Sequence, residues 1–152
     1  MDPGGIIMLF CKKMIIALTL SFAAAVLLGC GGQPQSLDEL RSFADQATEN
    51  MLVAMNEDDY GRFARDFDDQ MRTGLDEAKY KSTMPAIKAK IGKYLAKEFV
   101  GLEKKDQYVV MIYKAKFAEE PGGVIVRSVV GDKSGKKQVS GFWLDSPKLR
   151  GN

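Results

Sequence analysis

Tyr108-Val109-Val110-Met111-Ile112-Tyr113-Lys114-Ala115-Lys116-Phe117 is the stretch that decides the fold. Its alternate residues form two sets of different polarity. This period of two is typical of a strand with one buried face. The first set is apolar throughout: Val109, Met111, Tyr113, Ala115 and Phe117. The second set turns polar toward its end: Tyr108, Val110, Ile112, Lys114 and Lys116. We therefore predict a strand over 108–117.

Shorter stretches with the same period lie on either side of it. They predict strands over 99–103, 124–130 and 138–144, separated by turn residues. In the last strand, Val139, Gly141 and Trp143 are expected to share one face. The other face of the sheet is expected to carry an apolar stripe, formed by Tyr108, Val110, Ile112, Ile125, Val129, Phe142 and Leu144.

Helical patterns precede the strands. Ser36-Leu37-Asp38-Glu39 has the form of a capping box, and apolar residues at helical spacing predict a first helix over 37–55. A short second helix is predicted within 60–67. Asp68 and Asp69 are expected in an exit loop or a ragged extra turn. A further helix over 76–81 is expected to stop and restart at 82–85, where Pro85 would sit in a first turn. Helices followed by an antiparallel meander define the α+β class.

The first thirty residues resemble an export signal. Lys12-Lys13 precedes 14–28, which has no charge and is shorter than the roughly 20 residues of a spanning helix. The run ends in Leu27-Leu28-Gly29-Cys30, which resembles the lipobox of bacterial lipoproteins. That resemblance implies a lipid on the Cys30 thiol and cleavage before it. The alternatives are a secretory signal with an incidental cysteine, or an uncleaved anchor.

Four segments follow from these patterns. They are a signal peptide over 1–29 with Met8 as a second candidate start, a tether over 30–35, a domain over 36–146 and a tail over 147–152. The protein is expected to be exported and held at a membrane by Cys30. By the same resemblance, Gly31 after the cysteine implies the outer membrane, facing the periplasm, in a Gram-negative cell. In a Gram-positive cell the anchor would lie in the outer face of the cell membrane.

Composition excludes several kinds of chemistry. The chain has no histidine, which argues against a zinc site, a histidine triad or a histidine base. Cys11 and Cys30 are its two cysteines, so the mature domain has no thiol for a disulfide. Residues 36–77 are acidic and residues 78–97 are basic, which we interpret as solvated helix faces that attract each other. We expect no metal, no cofactor and no nucleic-acid partner.

The pattern as a whole resembles the nuclear transport factor 2-like superfamily, also called cystatin-like. The closer similarity is to small bacterial domains of unknown function within it. The stretches that carry the resemblance lie within 36–146: residues 47–51, residues 56–60, residues 91–94, residues 110–117 and residues 139–144. The resemblance implies a curved sheet that partly wraps the helices, a cavity at the wide end of a cone, and frequent dimers through the outer face of the sheet.

Two functions are compatible with this fold. The first is a non-catalytic binding module for a small apolar ligand or a protein partner, with a pocket lined by Tyr94, Tyr113, Phe117, Arg127 and Trp143. The alternative is a homodimeric interaction domain with a filled core, which pairs through the second face of the sheet. An isomerase or dehydratase is less well supported, because no catalytic residues can be assigned from the resemblance.

Overall fold

Four helices come first in the computed structural model, which describes residues 36–151. They are α1 (Leu37–Glu57), α2 (Tyr60–Phe63), α3 (Asp69–Gly74) and α4 (Glu77–Ile91). The predicted signal peptide 1–29, the lipidation site Cys30 and the tether 30–35 lie outside the described residues.

Each of these helices begins at a polar cap. Ser36 Oγ accepts from the amide of Glu39 over 3.2 Å, which confirms the predicted start of α1. Asp59, Asp68 and Asp76 cap α2, α3 and α4 in the same way. Asp68 and Asp69 thus belong to the cap and first turn of α3.

The predicted break at 82–85 is wrong. Helix α4 runs through Pro85 without interruption. Pro85 lies on the exposed side of the helix, where water can solvate the carbonyl that loses its hydrogen bond. Tyr80, Met84 and Ile91 on the opposite side are buried in the core. The burial of these side chains stabilises one continuous helix, although the local sequence at 82–85 favours two.

Four strands follow: β1 (Tyr94–Lys105), β2 (Tyr108–Phe117), β3 (Glu120–Lys133) and β4 (Lys136–Asp145). They form one antiparallel sheet in the order β1-β2-β3-β4. This confirms the α+β class and the bounds of β2. The other three strands are longer than predicted. A short helix, α5 (Pro147–Arg150), ends the described chain.

The tip of the β2–β3 hairpin is hydrogen-bonded to the backbone at the end of α4. The amide of Ala118 donates to the carbonyl of Lys93, and the amide of Glu119 donates to that of Ile91, each over 2.9 Å. Gly92 lies between them with φ at 76°, and a Cβ there would come within 2.8 Å of Glu119 Cγ. Glycine is therefore required at this junction.

The helices cover one face of the sheet, which we call the inner face. The largest buried side chains between the two layers include Tyr113, Phe63 and Met51. A buried hydrogen bond of 2.7 Å joins Thr48 Oγ1 on α1 to Ser128 Oγ on β3. Every fully buried core residue lies between Ala44 and Val139, so residues 36–151 carry their own core.

Opposite charges join the acidic and basic parts of the helical layer. Lys88 Nζ lies 2.7 Å from both carboxylate oxygens of Asp58. This pair agrees with the predicted attraction between the two segments, although an exposed pair adds little stability. Among the described helices, none is long and apolar enough to cross a membrane.

Candidate functional site

The five residues expected to line one pocket lie on two different faces of the sheet. Tyr94, Tyr113 and Phe117 point inward and are at most 5% exposed. Arg127 and Trp143 are neighbours on the opposite face, which we call the outer face; both are exposed. The structure therefore does not bring the five together.

A bulge in β4 accounts for the position of Trp143, whereas Arg127 lies on the outer face through the regular alternation of β3. Val139 pairs with Val130 and Gly141 pairs with Val129, so Ser140 is an extra residue. An extra residue moves every later side chain of the strand to the opposite face of the sheet. The prediction that Val139, Gly141 and Trp143 share a face is therefore wrong, since Val139 points inward and the other two point outward.

The same bulge places two residues of the predicted outer stripe on the inner face. Phe142 packs on the inner face, where its ring centroid lies 5.8 Å from that of Phe63. Leu144 also packs against the core. Both residues were expected on the outer face. Trp143 takes their place there.

On the inner side, α1 and β1 meet at a polar rim. Tyr94 Oη donates to Glu49 Oε2 over 2.8 Å, and Lys97 Nζ lies 3.5 Å from the same carboxylate oxygen. Lys97 Nζ also lies 4.7 Å from the centre of the Tyr113 ring. The Arg41 guanidinium covers the neighbouring Phe99 ring at 4.0 Å. Two cations thus cover two aromatic rings at this end of the sheet.

Both inner tyrosines are proton donors at neutral pH. Burial, followed by the contact with Glu49, raises the pKa of Tyr94. Burial, followed by the nearby carboxylate of Asp45, raises the pKa of Tyr113. Tyr113 Oη is buried beside Asp45 and Thr48 of α1, but no contact within the described residues meets the geometry of a hydrogen bond. A buried donor without an acceptor is uncommon in proteins.

Sequence reasoning missed the charged members of this rim. Arg41, Asp45 and Glu49 recur every four residues on α1, beside the apolar stripe. That spacing could have shown that the three share one side of the helix. It could not show that β1 would lie across from them. No sequence pattern pointed to Lys97 as a member of the rim, because it lies outside the predicted strand 99–103.

The outer face carries an apolar area that none of the described helices covers. Ile112 pairs with Arg127, and Arg127 pairs with Trp143, so these three form one row across the sheet. Trp143 is 55% exposed. Its ring lies over Gly141, where a Cβ would come within 2.5 Å of it. We call the apolar members of this face the outer patch: Tyr108, Val110, Ile112, Ile125, Val129 and Trp143.

Metal binding has little support in the described part of the chain. Within residues 36–151, no group of three or more acidic or cysteine side chains is arranged to hold a metal ion. The rim and the outer patch can instead act through hydrogen bonds and apolar contact.

Comparison with known proteins identifies a family but no activity. No curated protein matches the chain. Residues 48–133 match the model of a family described as a protein of unknown function (DUF3887). The match begins in α1 at Thr48, includes Tyr94 and Tyr113, and ends with β3 at Lys133. It covers more than half of the chain, and the protein therefore belongs to the DUF3887 family of unknown function.

Proposed function

We propose that this protein is a lipid-anchored envelope protein whose domain is a non-catalytic interaction module, and that the outer patch pairs with a second copy of the chain. One observation carries the proposal: Trp143 stands 55% exposed next to Arg127, among the apolar residues of the sheet face that the described helices leave uncovered. Large exposed apolar areas are rare on monomers and are typical of interfaces.

The composition of the outer patch supports a protein partner. Tryptophan, tyrosine and arginine are enriched among the residues that dominate binding energy. Trp143, Tyr108 and Arg127 all lie on this face. Arg127 makes no ion pair with any residue between 36 and 151, so its charge is available to a partner.

The charges around the outer patch favour a second copy as that partner. Glu98 and Glu103 on β1 lie beside Lys114 and Val110 on β2, so the border of the outer patch carries charges of both signs. A two-fold interface uses the same surface twice and must be its own complement. A face with mixed charges around an apolar centre meets that requirement.

The expected dimer is weak in free solution. A four-stranded face about 25 Å long, with strands about 4.8 Å apart, measures on the order of 500 Å². Stable interfaces bury about 800 Å² per partner. We therefore expect a dissociation constant of roughly micromolar or weaker.

Membrane anchoring would strengthen such a contact. The lipid on Cys30 and the short tether up to 35 would confine two copies to one surface. A segment of about five residues reaches at most about 17 Å, so both domains would stay close to the membrane. Confinement raises the effective concentration without any new contact.

The packed interior gives less support to an apolar ligand between the layers. Tyr113 and Met111 are fully buried there, and Phe117 is 4% exposed. A ligand in this place would have to displace these side chains. The proposal therefore assigns binding to the outer face.

Sedimentation equilibrium of residues 36–151 tests the dimer. The wild-type domain should associate reversibly, and Trp143→Lys should remain monomeric at the same concentrations. Leu37→Lys is the control, because Leu37 is also an exposed apolar residue but lies on α1. A monomeric wild type at millimolar concentration, or equal association of all three proteins, would overturn the proposal.

Membrane fractionation of the full chain in a bacterial host tests the anchor. The wild-type protein should sediment with membranes, and its mass should exceed that of the peptide from Cys30 onward by a lipid. Cys30→Ser should remove the added mass. An unmodified Cys30 would rule out the lipid.

A further inference from the structure

We infer that the exposed ring of Trp143 packs into a notch at Gly101 of a second copy, whose own Trp143 packs at Gly101 of the first. This inference rests on the dimer and the lipid anchor proposed above, and it adds the orientation of the two copies. Gly101 then determines which surfaces can pair.

Gly101 forms a notch in the outer face at the edge strand β1. It pairs with Ile112, which belongs to the outer patch, so Gly101 also has an outer position. A Cβ there would meet no described atom within 4 Å, whereas a Cβ at any other glycine of the four strands would meet one within 3.4 Å. Gly101 follows a bulge at Val100 but does not have a positive φ. The fold itself therefore does not require this glycine, and a glycine within a strand often marks the close approach of another molecule.

Gly101 and Trp143 end the same row across the sheet. The row contains, in order, Gly101, Ile112, Arg127 and Trp143. Three strand spacings separate its ends by about 14 Å. The row thus has a large side chain that is 55% exposed at one end and no side chain at the other.

A two-fold axis parallel to the strands, between β2 and β3, brings these two ends together. It places the row opposite itself in reverse order, so Trp143 faces Gly101 of the second copy. Facing sheets lie about 10 Å apart and pack well where large residues oppose small ones. The two-fold symmetry makes this contact twice.

An axis across the strands gives poorer contacts. Along this row it would place Arg127 opposite Arg127 and Trp143 opposite Trp143. Between this row and the next it would place Trp143 opposite Gly141, which is already covered by the Trp143 ring of its own copy.

The charges favour the axis along the strands. That axis places Arg127 near Glu98 and Glu103 of the second copy, which lie on β1 one row to either side of the notch. Neither carboxylate makes an ion pair within the part of the chain that the structure describes. Glu98 would also face Asp145, whose charge is already paired with Arg150 at 2.7 Å.

The position of the tether favours the same axis. Lys137, near the β3–β4 turn, lies 3.4 Å from Glu39 in the first turn of α1. An axis along the strands leaves both starts of α1 at one end of the dimer, whereas an axis across them puts the starts at opposite ends. Tethers that reach about 17 Å bring both lipids to one membrane from the first arrangement.

Two variants of residues 36–151 test the pairing by sedimentation equilibrium. Gly101→Trp fills the notch and Trp143→Ala removes the ring, so each alone should dimerise at least about 10-fold more weakly than the wild type. In a 1:1 mixture, each contact of the mixed dimer again joins one tryptophan to one small residue, and association should return toward wild-type strength. Lys105→Trp, the control elsewhere on β1, should rescue Trp143→Ala no more than wild-type chains do.

A measurement on the unchanged domain covers the case of a variant that does not fold. In a mixture of isotope-labelled and unlabelled chains, filtered NMR spectra should show a NOE between the Trp143 indole and the Gly101 amide. Within one copy these groups lie about 14 Å apart, so the NOE would arise between copies. If either variant fails to fold, this NOE decides alone.

Failure of the pairing and failure of the dimer give different results. A wild type that associates, without rescue in the mixture and without the NOE, would overturn the pairing and leave the proposed dimer. A wild type that stays monomeric at millimolar concentration would overturn both.

Discussion

The hydroxyl of Tyr94 donates a hydrogen bond of 2.8 Å to the carboxylate of Glu49. This bond joins the first residue of β1 to the middle of α1. Asn56 strengthens the same junction, because its side chain exchanges two hydrogen bonds of 2.9 Å with the backbone of Tyr94. The edge of the sheet is thereby held against the helical layer.

Tyr94→Phe should destabilise the domain by about 1.5–3 kcal/mol, because hydrogen bonds to charged groups contribute in that range. Chemical denaturation measures the change. Tyr108→Phe is the matched control, since its side chain lies on the outer face. Equal stability of the two variants would contradict a role for the Tyr94–Glu49 bond.

Stability should fall at alkaline pH. Burial, followed by the charges of Asp58 and Asp59, raises the pKa of Tyr80 from 10.0 to about 12. The pKa of Tyr94 and of Tyr113 is also raised. Because the folded state favours the protonated phenols, their contribution is complete below pH 10 and is lost as pH rises toward the raised values.

Denaturation curves between pH 8 and pH 11.5 would measure this loss. Tyr80→Phe should flatten the decline. A stability that stays constant across this range would show that the three phenols ionise equally easily in the folded and unfolded chain.

Thr48→Val should cost about 1–3 kcal/mol, because it leaves the buried hydroxyl of Ser128 without its partner. The double variant Thr48→Val/Ser128→Ala should recover part of that loss, since both polar groups are then removed. A double-mutant cycle by urea denaturation separates the two effects. Strictly additive losses would indicate that the hydroxyls act independently.

Gly92→Ala should destabilise the domain more than Gly135→Ala. Both glycines have positive φ, 76° and 81°, so both substitutions strain the backbone. At Gly92 the new Cβ also meets Glu119 at 2.8 Å, whereas nothing lies within 4 Å at Gly135. Thermal unfolding compares the two. Equal losses would mean that the hairpin tip can move away without cost.

Sequence periodicity predicted the strand at 108–117 because the strictly alternating burial of its side chains matches the alternation of the sequence. It failed at Ser140, where a single extra residue reverses the face of Phe142 and Trp143. It also failed at Pro85, where burial on the opposite side of α4 outweighs a local helix breaker. Bulges and buried helix faces depend on partners distant in the chain.

The candidate sites were predicted less well for the same reason. Tyr113 and Trp143 both stood out as aromatic residues in strands, but their separation to opposite faces follows from the bulge. The polar neighbours of Tyr113 come from α1, and no local pattern places Asp45 beside β2. A binding site made from distant segments becomes visible only when the fold is known.

Trp143 is the only tryptophan in the chain, so its fluorescence reports directly on the outer patch. If the patch pairs with a second copy, emission should move to shorter wavelength and saturate between roughly micromolar and millimolar concentrations. Ile112→Lys should abolish that shift without removing the reporter, and Leu37→Lys should preserve it. Emission typical of an exposed indole at every concentration would contradict the proposed interface.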